Sequence, residues 1–376
     1  MRSLHRRDML RFAGVVTAAG MAACLDETEP AASDDDATAG VEADDGDSDD
    51  EPDADDNDDE HASTELGSVP AYAAWIPDEE AFGADESVWF SYVDWAGLDD
   101  VDDRFDDDVQ FDLDGDIDLD DERDLDHPDQ LVALPLLGAF TVAFSTGLLV
   151  GMAGLGDLLD FGGDAGDEFG QDEPLDSTAD ETLIVGSTSV LIGSIDSDEI
   201  SERLVEMDYT EDDEIDGYDV YTHPLFGISV AVADGSVLIP MDDERGREEI
   251  EIIAGTARGE ISSLADTSER GEWSLRAGGN GEIAIGVYGD EIDAGADSPD
   301  VDDPEFDDDA FADATTIVSA MDYGPTAVTA RLAAITDEAN LDEDEIREEF
   351  GHTADERTIE IDDDRLLITG TWDAEE

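Results

Sequence analysis

Lysine is absent. The 376-residue chain has 16 Lys and Arg residues in total, every one of them Arg, against 108 Asp and Glu, for a formal net charge of −92. Without lysine there can be no phosphate-loop lysine, no Schiff base and no lysine general base. A surface this negative repels phosphate, which excludes nucleic acid as a partner. Cysteine occurs once, at Cys24, so disulfides within the chain and thiolate metal clusters are excluded. The five histidines, His5, His61, His127, His223 and His352, are singletons without metal-ligand spacing. There is no Gly-x-Ser-x-Gly elbow, and Gly154-x-Gly156 lacks the third glycine of a dinucleotide loop. No catalytic residue and no cofactor is implied. Paired carboxylates carry no signal by themselves, because 108 acids make proximity unavoidable; a glycosidase-type acid pair could sit among them unmarked.

What is present names the solvent. So much like charge destabilises a compact state by self-repulsion in dilute buffer, whereas in molar salt the Debye length falls to about 3 Å and the repulsion is screened. Carboxylates without lysine's long apolar stem also limit exposed apolar surface, which resists salting-out. The expectation is a chain that folds in concentrated salt.

The first 24 residues are organised as an export leader. Arg2, Arg6, Arg7 and Arg11 form a cationic head, Phe12 to Ala23 is uncharged, and Cys24 closes the segment behind small residues. The uncharged run of 12 residues is too short for the roughly 20 that a spanning helix needs. Arg6-Arg7 followed by Asp8-Met9-Leu10 resembles a twin-arginine export motif, and Met21-Ala22-Ala23-Cys24 resembles a lipobox, with Met21 where Leu is usual. With the extreme acidity, the leader is similar to those of haloarchaeal lipoproteins exported by the twin-arginine route. The resemblance implies a lipid on Cys24 and a membrane partner at the extracellular face.

Residues 25–65 follow as an acidic tract with almost no large apolar side chain after Leu25, expected to remain a disordered tether because it cannot bury enough surface to offset its ordering entropy. A lobe is expected over 66–170. In it, Ser87 to Asp94 reads as a strand, with Asp94 placed to start a short helix. Phe111 to Asp120 alternates apolar and acidic residues, making Asp112, Asp114, Asp116 and Asp118 weak metal candidates. That run fails the EF-hand template, since Ile117 stands where glycine is needed and Arg123 where Glu is needed. Leu131 to Gly156 carries no charge for 26 residues and includes Pro135 and the pair Gly147 and Gly151. It is long enough to span a bilayer, but a second crossing would split an already exported chain, so a bent helix or helix pair, buried or facing the membrane, is expected.

Over 171–376 the pattern is α+β, with an acidic loop at 290–313. Leu183 to Val185, Val190 to Ile195, Gly217 to Thr222 and Ile283 to Tyr288 read as strands, and Ile228 to Pro240 as a hairpin turning at Asp234-Gly235. Asp196-Ser197-Asp198 caps a helix with Ile200, Leu204 and Met207 at helical spacing. Further helices are expected from about Asp242 and over Asp266 to Ala277. Residues 228–239 align without gaps on 357–368, pairing Val230, Val232, Val237 and Ile239 with Ile359, Ile361, Leu366 and Ile368. Asp-Glu-Ile-x-Glu recurs upstream at Asp198 to Glu202 and at Asp344 to Glu348. This predicts a duplicated strand, helix, hairpin unit, built as antiparallel sheet with helices on one face. The function class that fits is a lipid-anchored binding or scaffolding module with a protein partner at the cell surface. A surface hydrolase with a carboxylate pair, and a membrane-embedded subunit held through 131–156, are the alternatives.

Overall fold

The structure, a computed structural model, describes residues 66–83, 87–98, 129–159, 175–241, 245–289, 314–336, 341 and 343–373. The leader, the acidic tract 25–65, the aspartates from Asp112 to Asp118, and the loop 290–313 lie outside these residues.

One antiparallel sheet of twelve strands organises the molecule. In chain order these are β1 (Val88–Asp94), β2 (Thr178–Val185), β3 (Thr188–Ser194), β4 (Thr210–Ile215), β5 (Tyr218–Thr222), β6 (Ser229–Ala233), β7 (Ser236–Pro240), β8 (Ile283–Tyr288), β9 (Thr316–Tyr323), β10 (Ala327–Ile335), β11 (Glu356–Asp362) and β12 (Arg365–Asp373). Their spatial order is β11-β12-β10-β9-β8-β1-β2-β3-β7-β6-β5-β4. The α+β class with antiparallel sheet and packed helices is therefore as expected. The stretches 66–170 and 171–376 do not form separate lobes: β1, from the first, is hydrogen-bonded between β2 and β8 of the second.

Among the described residues the helices include α1 (Glu79–Phe82), α2 (Gln130–Met152), α3 (Ser197–Glu206), α4 (Gly246–Ala257), α5 (Leu264–Thr267), α6 (Glu269–Gly278) and α7 (Glu343–Glu349). The duplication is visible in this topology. β1-β2-β3-α3 closes with the hairpin β6-β7 paired on β3, and β8-β9-β10-α7 closes with the hairpin β11-β12 paired on β10. The first copy carries the extra hairpin β4-β5, and the two copies meet at β1 and β8.

All eight paired apolar residues from Val230 to Ile239 and Ile359 to Ile368 contribute to one core, shared with α2, α3 and the residue following α7, Phe350. The helices of the duplicated units thus share one face, as expected. The other face is covered too, by α4, α5, α6 and a 3-10 turn at Ala71–Trp75, so helices lie on both sides of the sheet. That two-sided cover explains why β1 is buried or half-buried at every position rather than alternating.

Local signals match the chain chemistry. The Asp196 side chain accepts hydrogen bonds from the Asp198 and Glu199 amides and starts α3. Ile200 and Leu204 enter the core, while Met207 caps the helix end and is exposed. Residues 266–277 are not one helix: Ser268 ends α5 and starts α6, its hydroxyl accepting from the Gly271 amide at 3.0 Å.

Candidate functional site

Two features of the described residues stand out. The first is a row of carboxylates at one end of the central strands. Asp94 on β1 is the cross-strand partner of Glu181 on β2, and extending the β1/β8 and β8/β9 registers by one residue places Glu282 beside Asp94 and Asp322 beside Glu282. Four neighbouring strands thus each present an acid at the same level, about 4.8 Å apart. Like charges placed directly across strands repel.

The row is held by polar contacts as well as strained by repulsion. Tyr92 donates its hydroxyl proton to Glu181 Oε2 at 3.0 Å, with the Tyr72 ring stacked on it at 4.3 Å. The Tyr323 amide donates to Glu282 Oε2 at 2.8 Å, and the Gly97 amide to Asp94 Oδ1 at 2.8 Å. Burial raises the Glu181 carboxyl above the usual range, with the negative charges of Asp94 and Asp180 adding to it against the lowering effect of the Tyr92 hydrogen bond. Burial likewise raises Glu282, reinforced by Asp322 and Asp94. A carboxyl whose proton affinity is raised by burial is the kind of group general acid catalysis uses. Among the described residues no group of three or more His, Cys, Asp or Glu has the geometry to hold a metal ion.

The second feature is α2. Residues 130–152 form one helix, not a pair, and Pro135 is accommodated inside it. Its N-terminus is fixed by Asp129, whose carboxylate accepts from the Leu131 amide, the Gly351 amide at 2.7 Å, and both the amide and hydroxyl of Thr353. His352 Nδ1 stands 3.9 Å from the same carboxylate, and Trp372 donates its indole proton to the Thr353 hydroxyl at 3.0 Å. His352 thus borders a structural anchor. Gly138 lets the helix approach the sheet: a Cβ there would lie 2.7 Å from Ser91 Oγ and 2.9 Å from Ile285 Cβ. Thr146 and Ser189 hydroxyls meet at 3.1 Å beneath the helix.

Leu134, Val142, Thr146, Leu149 and Val150 face the core, yet the opposite side is also apolar. Leu137, Phe144, Leu148 and Met152 are 52%, 42%, 54% and 48% exposed, at spacings of 7, 4 and 4 residues that put them in one stripe. Phe140 stacks on Phe144 within it, ring centroids 6.0 Å apart. Among the described residues nothing lies within 4 Å of where a side chain on Gly151 would project. By length and composition α2 is capable of crossing a membrane, but 44% of its apolar window is buried against the sheet.

The apolar stretch expected over 131–156 is α2, and the sequence marks no histidine as a ligand. Of the histidines, His223 lies at the β5-β6 connection, its Nδ1 accepting from the Leu225 and Phe226 amides, which is a turn role. Arg6, Arg7, Cys24, and Asp112, Asp114, Asp116 and Asp118 lie outside the described residues. The carboxylate row was missed, because only strand register brings Asp94, Glu181, Glu282 and Asp322 together; nothing in their sequence spacing marks them.

No family model matches the chain, and no curated protein matches it. Among solved structures, three crystal forms of TP0453 are similar at low level. Form III has TM-score 0.35 and 11% identity over 81% of this chain and 95% of that one. Form I has 0.35 and 12% over 81% and 94%, and form IV has 0.36 and 10% over 80% and 96%. Likeness this distant carries no functional argument.

Proposed function

We propose that this chain is a lipid-anchored binding or scaffolding module on the extracellular face of the cell membrane of a halophilic archaeon. One observation carries the reading: the order of Arg6-Arg7, an uncharged run, Cys24, then 41 acidic tract residues before the first described residue, Leu66. A leader ending on the sole cysteine gives the attachment point, and the tract gives the folded body distance from the lipid headgroups. Twin-arginine export suits a protein whose twelve-strand sheet joins segments far apart in sequence, since such a sheet forms slowly and is safer completed before transport. No nucleic acid and no cofactor enters the reading; the partner is the membrane through Cys24, and a protein at the cell surface.

The test is fractionation of cells expressing the native chain and Cys24→Ser, with protease added to intact cells. The native protein is expected in the membrane fraction and open to protease. A Cys24→Ser chain with unchanged processing and unchanged detergent-phase partitioning would sink the proposal.

The raised Glu181 and Glu282 carboxyls, on neighbouring strands beside Asp94, favour a second reading, a cell-surface hydrolase in which one of the two glutamates acts as general acid. Turnover of a glycoside panel in molar salt, lost in both Glu181→Gln and Glu282→Gln with unchanged circular dichroism, would support it; no turnover by the native chain removes it.

A further inference from the structure

We infer that the outward stripe of α2 lies in the membrane interface, in contact with lipid, while its inner face stays on the sheet. The inference rests on the reading that Cys24 holds the chain at a membrane. Four observations carry it. Acids make up 108 of 376 residues, yet none occurs from Leu131 to Gly156. In concentrated salt exposed apolar side chains are penalised more than in dilute buffer, so a bare stripe of Leu137, Phe140, Phe144, Leu148 and Met152 calls for a cover. The stripe also does not end with the helix. A Cβ on Gly154 would lie 2.8 Å from Met207 Cε, the neighbouring Tyr209 ring meets His223 at 5.0 Å, and His223 stacks on Phe226 at 4.6 Å. Leu225 and Phe226, at that far end, are the two most exposed large apolar residues described. A packed chain of contacts therefore links the end of α2 and the exposed Met207 to the exposed Leu225 and Phe226 of the β5-β6 connection.

Length permits this side to face the lipid. The chain enters on the other side of the sheet, where Gly67 donates to the Arg276 carbonyl of α6. Helix, sheet and helix layers are together about 30 Å thick. The 41 residues from Leu25 to Glu65 can reach about 140 Å at full extension, several times that thickness. A second apolar contact adds to the hold of the lipid on Cys24, which is the gain the stripe supplies. Crossing the bilayer is a different outcome: it would strip Val142, Leu149 and Val150, each 7% exposed or less, from the core.

The test uses the full-length chain carrying Cys24→Ser, floated with phosphatidylcholine vesicles in molar salt, beside the same chain also carrying Leu137→Gln, Phe144→Gln and Leu148→Gln. Any contribution from the leader is common to both, and circular dichroism checks that both fold. The glutamine substitutions are expected to lower the vesicle-bound fraction by about tenfold or more. Equal flotation of the two, or flotation of neither, overturns the inference. So does a lipid-free dimer that the glutamine substitutions dissociate, since a second copy would then be the cover. Native chain that carries lipid and floats while Cys24→Ser does not would leave the anchor reading intact and defeat this one. Stripe-dependent flotation of a native chain whose Cys24 carries no lipid would do the reverse.

Discussion

Asp129 holds the start of α2 to the loop between α7 and β11 through three hydrogen bonds, accepts a fourth from the Leu131 amide of α2 itself, and has a side chain 5% exposed. Hydrogen bonds to a buried charge are each worth about 1.5 to 3 kcal/mol, and their loss leaves the Gly351 and Thr353 amides unpaired. Asp129→Ala is therefore expected to cost about 3 kcal/mol in denaturant unfolding at high salt, and Asp129→Asn less. Glu181 and Glu282 act in the opposite sense. Their folded-state carboxyls bind protons more tightly than in the unfolded chain, so they stabilise the fold fully only below the ordinary carboxylate range, and that contribution is lost as pH rises through the raised folded values. Glu181→Gln and Glu282→Gln keep an acceptor for Tyr92 and the Tyr323 amide without the charge. Each is expected to raise the thermal midpoint at neutral pH and to flatten its decline from acid to neutral pH. A steeper decline in the variants would mean that these carboxyls are not the groups being titrated.

Gly138 and Gly151 divide the two faces of α2. Gly138 sits where a side chain meets Ser91 and Ile285, whereas Gly151 opens onto nothing within 4 Å among the described residues. Gly138→Val is expected to cost about 1 to 3 kcal/mol by overpacking, and Gly151→Ala to gain up to about 1 kcal/mol from helix propensity, both read from chemical denaturation. How far such elements could be read in advance followed their chemistry. The hairpins β6-β7 and β11-β12 alternate regularly, and their parity identified the correct core residues. The β4 strand, Thr210 to Ile215, is exposed or half-exposed throughout and carries four acids in a row, so no apolar signal marks it; backbone pairing to β5 alone makes it a strand. Nor could α2 reveal which side it buries, because it is apolar all round and only Gly138 and the packed sheet choose. The carboxylate row was illegible for the same class of reason, since register across β2, β1, β8 and β9 is a tertiary fact.

At the scale of the whole molecule, charge governs folding. A formal −92, with acids stacked side by side across the central strands, needs counter-ions to screen it. Circular dichroism is expected to show cooperative loss of structure as salt falls well below about 1 M, and cooperative unfolding retained in dilute buffer would contradict a halophilic origin. The duplicated units give the molecule its continuous sheet, while α2, inserted between β1 and β2, gives one side an apolar surface that the rest of the composition avoids. The central proposal is attachment through Cys24, and intact-mass spectrometry of the protein extracted from native membranes addresses it directly. The predicted species begins at Cys24 and exceeds the mass of residues 24–376 by a lipid. A chain of unmodified mass that retains residues 1–23, or one cut elsewhere, would contradict it.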